Sequence, residues 1–90
     1  MIYEVVTMPM AEKHIAKLHK SGDKQAEKRL IRIWEELKEH PETGFGNPNR
    51  KKYSHAGCWS REITEKHRLL YTIDDTTVTV ISAYGHYGDK

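Results

Sequence analysis

The stretch from Gly57 to Tyr71 restricts the fold more than any other part of this chain. Trp59 and Ile63 alternate with polar residues before a polar corner, Thr64-Glu65-Lys66-His67, and Leu69, Tyr71 and Ile73 do so after it. Alternation of this kind is the pattern of two half-buried strands joined by a turn. Side chains change faces with period two, so burying all five residues together requires a loop with an odd number of residues, most simply three. The same register turns Cys58, Ser60 and Glu62 to the other face, with Arg68, Leu70 and Thr72. A carboxylate and a guanidinium then share a non-core face. As a solvated surface pair they contribute little to stability. As an anion site they need support from the rest of the chain.

The chain has 90 residues, enough for one domain with a single two-layer core. It contains no apolar run near the ~20 residues that span a bilayer. Its start, Met1-Ile2-Tyr3-Glu4, lacks the basic-then-apolar pattern of a signal peptide. Cys58 is the single cysteine, so no internal disulfide forms and a cytoplasmic setting is expected. The net charge of +2 is unevenly spread. Residues 50–68 carry six Lys or Arg against two Glu, while residues 1–49 balance at eight of each sign. A basic centre is a modest signal for phosphate-bearing partners, and an ordinary lysine-rich surface accounts for it equally well.

Ile2 to Thr7 is short and β-branched, a strand candidate. Thr7 or Met8 can cap a following helix that has Pro9 in its first turn, with Met8, Ala11, Ile15 and Leu18 as one apolar stripe. Ser21-Gly22 stops it, and Asp23 can cap a second helix over about 24–39. There the stripe is Ala26, Leu30, Ile33, Trp34 and Leu37, a core face, and Pro41 ends the helix. Residues 41–56 are rich in turn formers, with a brief strand expected around Lys51-Lys52-Tyr53. Gly44-Phe45-Gly46 can bring backbone close to a phosphate, but with no helix following it is not a P-loop. Thr77 to Tyr84 is a last strand. The order predicts an α+β domain over 1–90, two helices on one face of a twisted, mostly antiparallel sheet and the other face uncovered.

No pair of the six histidines has the helical spacing of zinc ligands, and no second cysteine exists, so neither a metal nor another cofactor is expected. Cys58 is expected to be a packed or half-exposed thiol. Arg, Lys, His, Tyr and a carboxylate remain. These suit metal-free cleavage of an RNA phosphodiester, in which the ribose 2′-hydroxyl attacks and the protein supplies a base, an acid and cationic support.

Three blocks in order, Gly44-Phe45-Gly46-Asn47-Pro48, then Gly57 to Tyr71, then His86-Tyr87, resemble the Txe/YoeB family of RelE-fold toxins from bacterial toxin–antitoxin modules. The W-S-R-x-I and E-x-H-R-L-x-Y portions carry most of the specificity, and the match covers most of residues 23–87. The resemblance implies a β-α-α-β-β-β RelE-like domain and an endoribonuclease that cuts mRNA in the ribosomal A site. It also implies partners: a YefM-type antitoxin, the ribosome, and either a homodimer or a toxin–antitoxin hetero-oligomer, with no membrane. By position, Arg68 would stabilise the phosphorane and His86 would be the general acid. Tyr87 would orient the substrate or stack on a base. Asn49, Lys52 and Arg61 would contact the substrate.

Two positions depart from the family pattern. Asn49 stands where the pattern has its general-base Glu, and a neutral amide cannot take the 2′-hydroxyl proton. Glu62 stands where a second Arg is usual. Three alternatives follow: Glu62 is the base, relocated from loop to strand and paired with Arg68; His55 or a water takes the proton while Glu62 tunes Arg68; or catalysis is impaired. A further difficulty concerns the last strand. Strict alternation from Val78 and Val80 would send His86 to the core side, unless Gly85 breaks the alternation as a bulge or bend.

Overall fold

The computed structural model describes residues 2–46, 48–50 and 57–83. Strand β1 (Glu4–Thr7) leads into helices α1 (Pro9–Lys20) and α2 (Lys24–Leu37). The two-residue strand β2 (Asn49–Arg50), then β3 (Trp59–Glu62), β4 (Arg68–Ile73) and β5 (Thr77–Ser82) complete a five-stranded sheet in the order β1-β5-β4-β3-β2. β1 runs parallel to β5, and every other pairing is antiparallel.

Local signals set the helices. Pro9 occupies the first turn of α1, and the N-cap is Met8, which makes no side-chain cap. The break at Ser21-Gly22 is closed by Asp23, whose side chain accepts the Ala26 N–H at 3.0 Å. α2 stops at Leu37, two residues before the end its periodicity predicts within 24–39 and ahead of Pro41. Ala11 and Leu18 from α1, and Ala26, Leu30, Ile33 and Leu37 from α2, pack on Ile63, Leu69, Tyr71, Val78, Val80 and Ala83. Met8, placed by the heptad-like spacing on the stripe of α1, is 45% exposed instead. A brief strand is described at Asn49–Arg50; Lys51, Lys52 and Tyr53, around which it was expected, lie outside the described residues.

The hairpin has the register its alternation requires. Trp59 stands opposite Tyr71, Ser60 opposite Leu70, Arg61 opposite Leu69 and Glu62 opposite Arg68. Ile63 N–H donates to the His67 carbonyl at 2.9 Å, which leaves Thr64-Glu65-Lys66 as a three-residue corner. Between β4 and β5 the register slips: Tyr71 pairs with Val80 but Leu70 pairs with Ser82. Ile81 is therefore an extra residue. It keeps Val78 and Val80 in the core and then inverts the phase, so Ser82 shares the face of Leu70 while Ala83 joins the core. Strict alternation thus fails at Ile81, ahead of Gly85, which lies outside the described residues.

Candidate active site

The sheet face away from the helices carries a compact polar group at the β2 end. Paired residues share a face, so Asn49 lies beside Ser60, and Glu62 lies beside Arg68. Cross-strand Cβ atoms at such positions are about 4.5–5.5 Å apart, and diagonal neighbours such as Asn49 and Glu62 about 7–8 Å. Asn49 is exposed, and Glu62 and Arg68 are half-buried. A carboxylate, a guanidinium and an amide thus stand within the span of one nucleotide phosphate and its ribose. His86, Tyr87, Lys52 and His55 lie outside the described residues.

That face is not bare. Ser60 is 0%, Leu70 3% and Ser82 1% exposed. The expectation of an uncovered sheet surface therefore holds at the Asn49–Glu62–Arg68 end and fails along the central row. Neither serine hydroxyl has a hydrogen-bond partner among the described residues.

Arg61 is the clear correction. Expected to contact substrate, it is fully buried on the helix side of β3. Nε donates to the Tyr71 hydroxyl at 3.2 Å. Nη1 donates to Glu36 Oε1 at 2.7 Å and to the Phe45 carbonyl at 3.2 Å. Nη2 donates to the carbonyls of His40 and Thr43. A guanidinium has five N–H donors, and these five acceptors use them all. The physical reason is alternation itself: Arg61 sits between Trp59 and Ile63 on the core face.

Around this cation the loop after α2 is tightly held. Tyr71 Oη donates to the Pro41 carbonyl at 2.6 Å, and Phe45 N–H donates to Glu36 Oε1 at 2.8 Å. The Arg32 guanidinium lies 4.4 Å from the centre of the Phe45 ring. Burial would raise the Glu36 pKa, but the Phe45 amide, Arg61 and Arg32 together hold it below the usual carboxylate range. Burial pushes the Tyr71 hydroxyl up, with Arg61 opposing. Gly44 and Gly46 adopt φ of +119° and +87°. A Cβ on Gly44 would strike Glu36 Oε1, and one on Gly46 would lie 2.9 Å from the Glu62 carbonyl oxygen. These glycines bring backbone close to a strand and a carboxylate of the protein itself. Glu62 N–H donates to the Gly46 carbonyl at 2.6 Å, tying the loop to the backbone of the candidate base.

Glu36 and Tyr71 were not singled out by the sequence as site-related. A signal existed for Tyr71, because the hairpin register places it next to Arg61 on the core face. For Glu36 none existed, since it lies outside the apolar stripe of α2. Burial pushes the Cys58 thiol up, which makes it a poor nucleophile at neutral pH. Among the described residues no cluster of three His, Cys, Asp or Glu could hold a metal ion, and no helix is long and apolar enough to cross a membrane.

Two helices on a five-stranded mixed sheet of this order define the RelE/YoeB class of toxin folds. A YoeB/ParE toxin from Agrobacterium tumefaciens superposes with a TM-score of 0.81 at 26% identity, covering 93% of this chain and 99% of that one. The toxin–antitoxin complex RelBE2 from Mycobacterium tuberculosis shares the fold at a TM-score of 0.70 and 22% identity, over 96% and 100% of the two chains. The model of the YoeB-like toxins of bacterial type II toxin–antitoxin systems matches residues 14–87, and the chain belongs to that family. Toxin YoeB of Synechocystis sp. is 38% identical over 66 residues, 73% of this chain and 77% of its own. A YoeB–YefM complex from Staphylococcus aureus matches at a TM-score of 0.78 and 26% identity, over 97% of this chain and 100% of that one.

Proposed function

We propose that this toxin is a metal-independent endoribonuclease that cuts mRNA in the ribosomal A site and so stops translation. Glu62 takes the proton from the ribose 2′-hydroxyl. The freed oxygen attacks the adjacent phosphorus, and Arg68 stabilises the added negative charge of the phosphorane. The P–O5′ bond breaks, and His86 gives its proton to the departing 5′-oxygen. The products are a 2′,3′-cyclic phosphate and a 5′-hydroxyl. Tyr87 orients the substrate, and Lys52 and Asn49 contact it. A YefM-type antitoxin holds the enzyme inactive in the cytoplasm, as a homodimer or in a hetero-oligomer.

The observation that carries this is the in-register pairing of Glu62 with Arg68, with Asn49 diagonal on the same face. A carboxylate on the strand thus neighbours the position where the family pattern has one in the loop. The phase inversion at Ile81 adds support, since it removes the objection that the chain leading to His86 must follow the core side of β5. Family membership supports the reaction class. The structures of a YoeB–YefM complex and a YoeB dimer from S. aureus support the choice of partners.

Asn49 favours a second reading, a catalytically impaired module that binds antitoxin, RNA or ribosome without cutting. Mapping 5′ ends of mRNA incubated with purified protein, with and without ribosomes, separates the two. Cuts that require ribosomes and vanish in Arg68→Ala and His86→Ala support the enzyme. Intact mRNA beside bound ribosomes supports the second reading, and cuts in naked RNA remove the ribosome from the account.

A further inference from the structure

We infer that Arg61 is a positioning residue that sets the geometry of the catalytic face from behind the sheet. This rests on the proposal that the Asn49–Glu62–Arg68 face cleaves RNA. Among the described residues β2 has two residues and pairs with β3, and so short a pairing does not hold itself in place. Its position, and with it that of Asn49, is inherited from the loop that precedes it. That loop is fixed by the buried guanidinium. The carbonyls of His40, Thr43 and Phe45 converge on Arg61 from within six residues of chain. The Tyr71 hydroxyl joins Arg61 Nε to the Pro41 carbonyl. Glu36 Oε1 joins Nη1 to the Phe45 amide. The clamped segment then reaches the active face through the bond from Glu62 N–H to the Gly46 carbonyl at 2.6 Å.

Stability alone gives no reason for a charge at this place. Buried ion pairs replaced by apolar groups of similar volume are often as stable or more so. What an apolar side chain cannot do is accept a unique set of carbonyl directions. The planar five-donor fork does this, and a lysine ammonium with three donors on a flexible stem does not. Arg61 therefore acts through the loop and β2, touching neither RNA nor the reacting atoms.

The test uses Arg61→Lys and, because that variant can unfold, Tyr71→Phe, which keeps the ring and removes the link between Arg61 Nε and Pro41. Native-state hydrogen exchange is read at the Glu62 amide against the Val78 and Val80 amides of the inner strand β5, beside ribosome-dependent cleavage. In Tyr71→Phe the Glu62 amide is expected to exchange about tenfold faster while Val78 and Val80 keep their protection. kcat should fall about 10- to 100-fold with KM for programmed ribosomes within about twofold of wild type. Unchanged Glu62 exchange overturns the inference. So does slower cleavage that tracks a uniform loss of protection across the sheet, the mark of a residue that only stabilises. If the wild-type protein cuts nothing, the cleavage proposal fails, while the exchange measurement still decides whether the clamp controls Glu62.

Discussion

Arg61 and Glu62 are adjacent in the chain and opposite in role because a strand turns them to opposite faces. Arg61 was readable as a core-side residue from the spacing of Trp59 and Ile63, and the substrate contact that the family resemblance implied for it pointed the other way. Geometry decides for the core. Truncating one partner of a buried, fully hydrogen-bonded cation leaves several carbonyls and a carboxylate unpaired, so Arg61→Met is expected to cost about 3–5 kcal/mol in chemical denaturation. Ser82 is the reverse case. Its buried hydroxyl lacks a partner among the described residues, so Ser82→Ala removes an unsatisfied group and is expected to raise the melting temperature by a few degrees, about 1 kcal/mol for a domain of this size. A lower melting temperature would show that the hydroxyl is bonded.

At the scale of elements, the loop between α2 and β2 was the least legible part. Its glycines and prolines predict turns, but nothing local says that its carbonyls gather on a residue some twenty positions away. Long-range polar convergence has no periodicity to read. The helices and the hairpin, by contrast, follow from patterns within a few residues: Asp23 as a cap, the stripe on α2, the odd-numbered loop at Thr64-Glu65-Lys66. The inversion at Ile81 was legible only as a conflict, since β-branched residues on both faces of β5 hide a bulge. Two predictions belong here. Gly46→Ala puts a Cβ against the Glu62 carbonyl at a φ that L-residues avoid, and is expected to destabilise by about 1–3 kcal/mol and to loosen the Glu62 amide in hydrogen exchange. Glu36 has its folded pKa lowered, so its contribution is complete above the unfolded carboxylate value of about 4.3 and is lost as pH falls through the folded value. Unfolding experiments across that window should show a falling stability in the wild type that is shallower in Glu36→Gln; parallel curves would remove Glu36 from the network.

For the whole molecule, one face of the sheet builds the core and the other presents the proposed active site. The helical layer and the Arg61 network hold the sheet from one side, and the candidate base and cation are displayed on the other. The toxin fold follows from this architecture and the family from the match over residues 14–87, while the proposed reaction turns on a single exchange of charges, an amide at position 49 and a carboxylate at position 62. Single-turnover cleavage of mRNA on programmed ribosomes tests that exchange most directly, comparing wild type, Glu62→Gln, and Glu62→Gln combined with Asn49→Glu. A loss of about 10²–10⁴-fold in Glu62→Gln, partly restored by the added Asn49→Glu, is the predicted result. Cleavage by Glu62→Gln at the wild-type rate would contradict the assignment of Glu62 as the base.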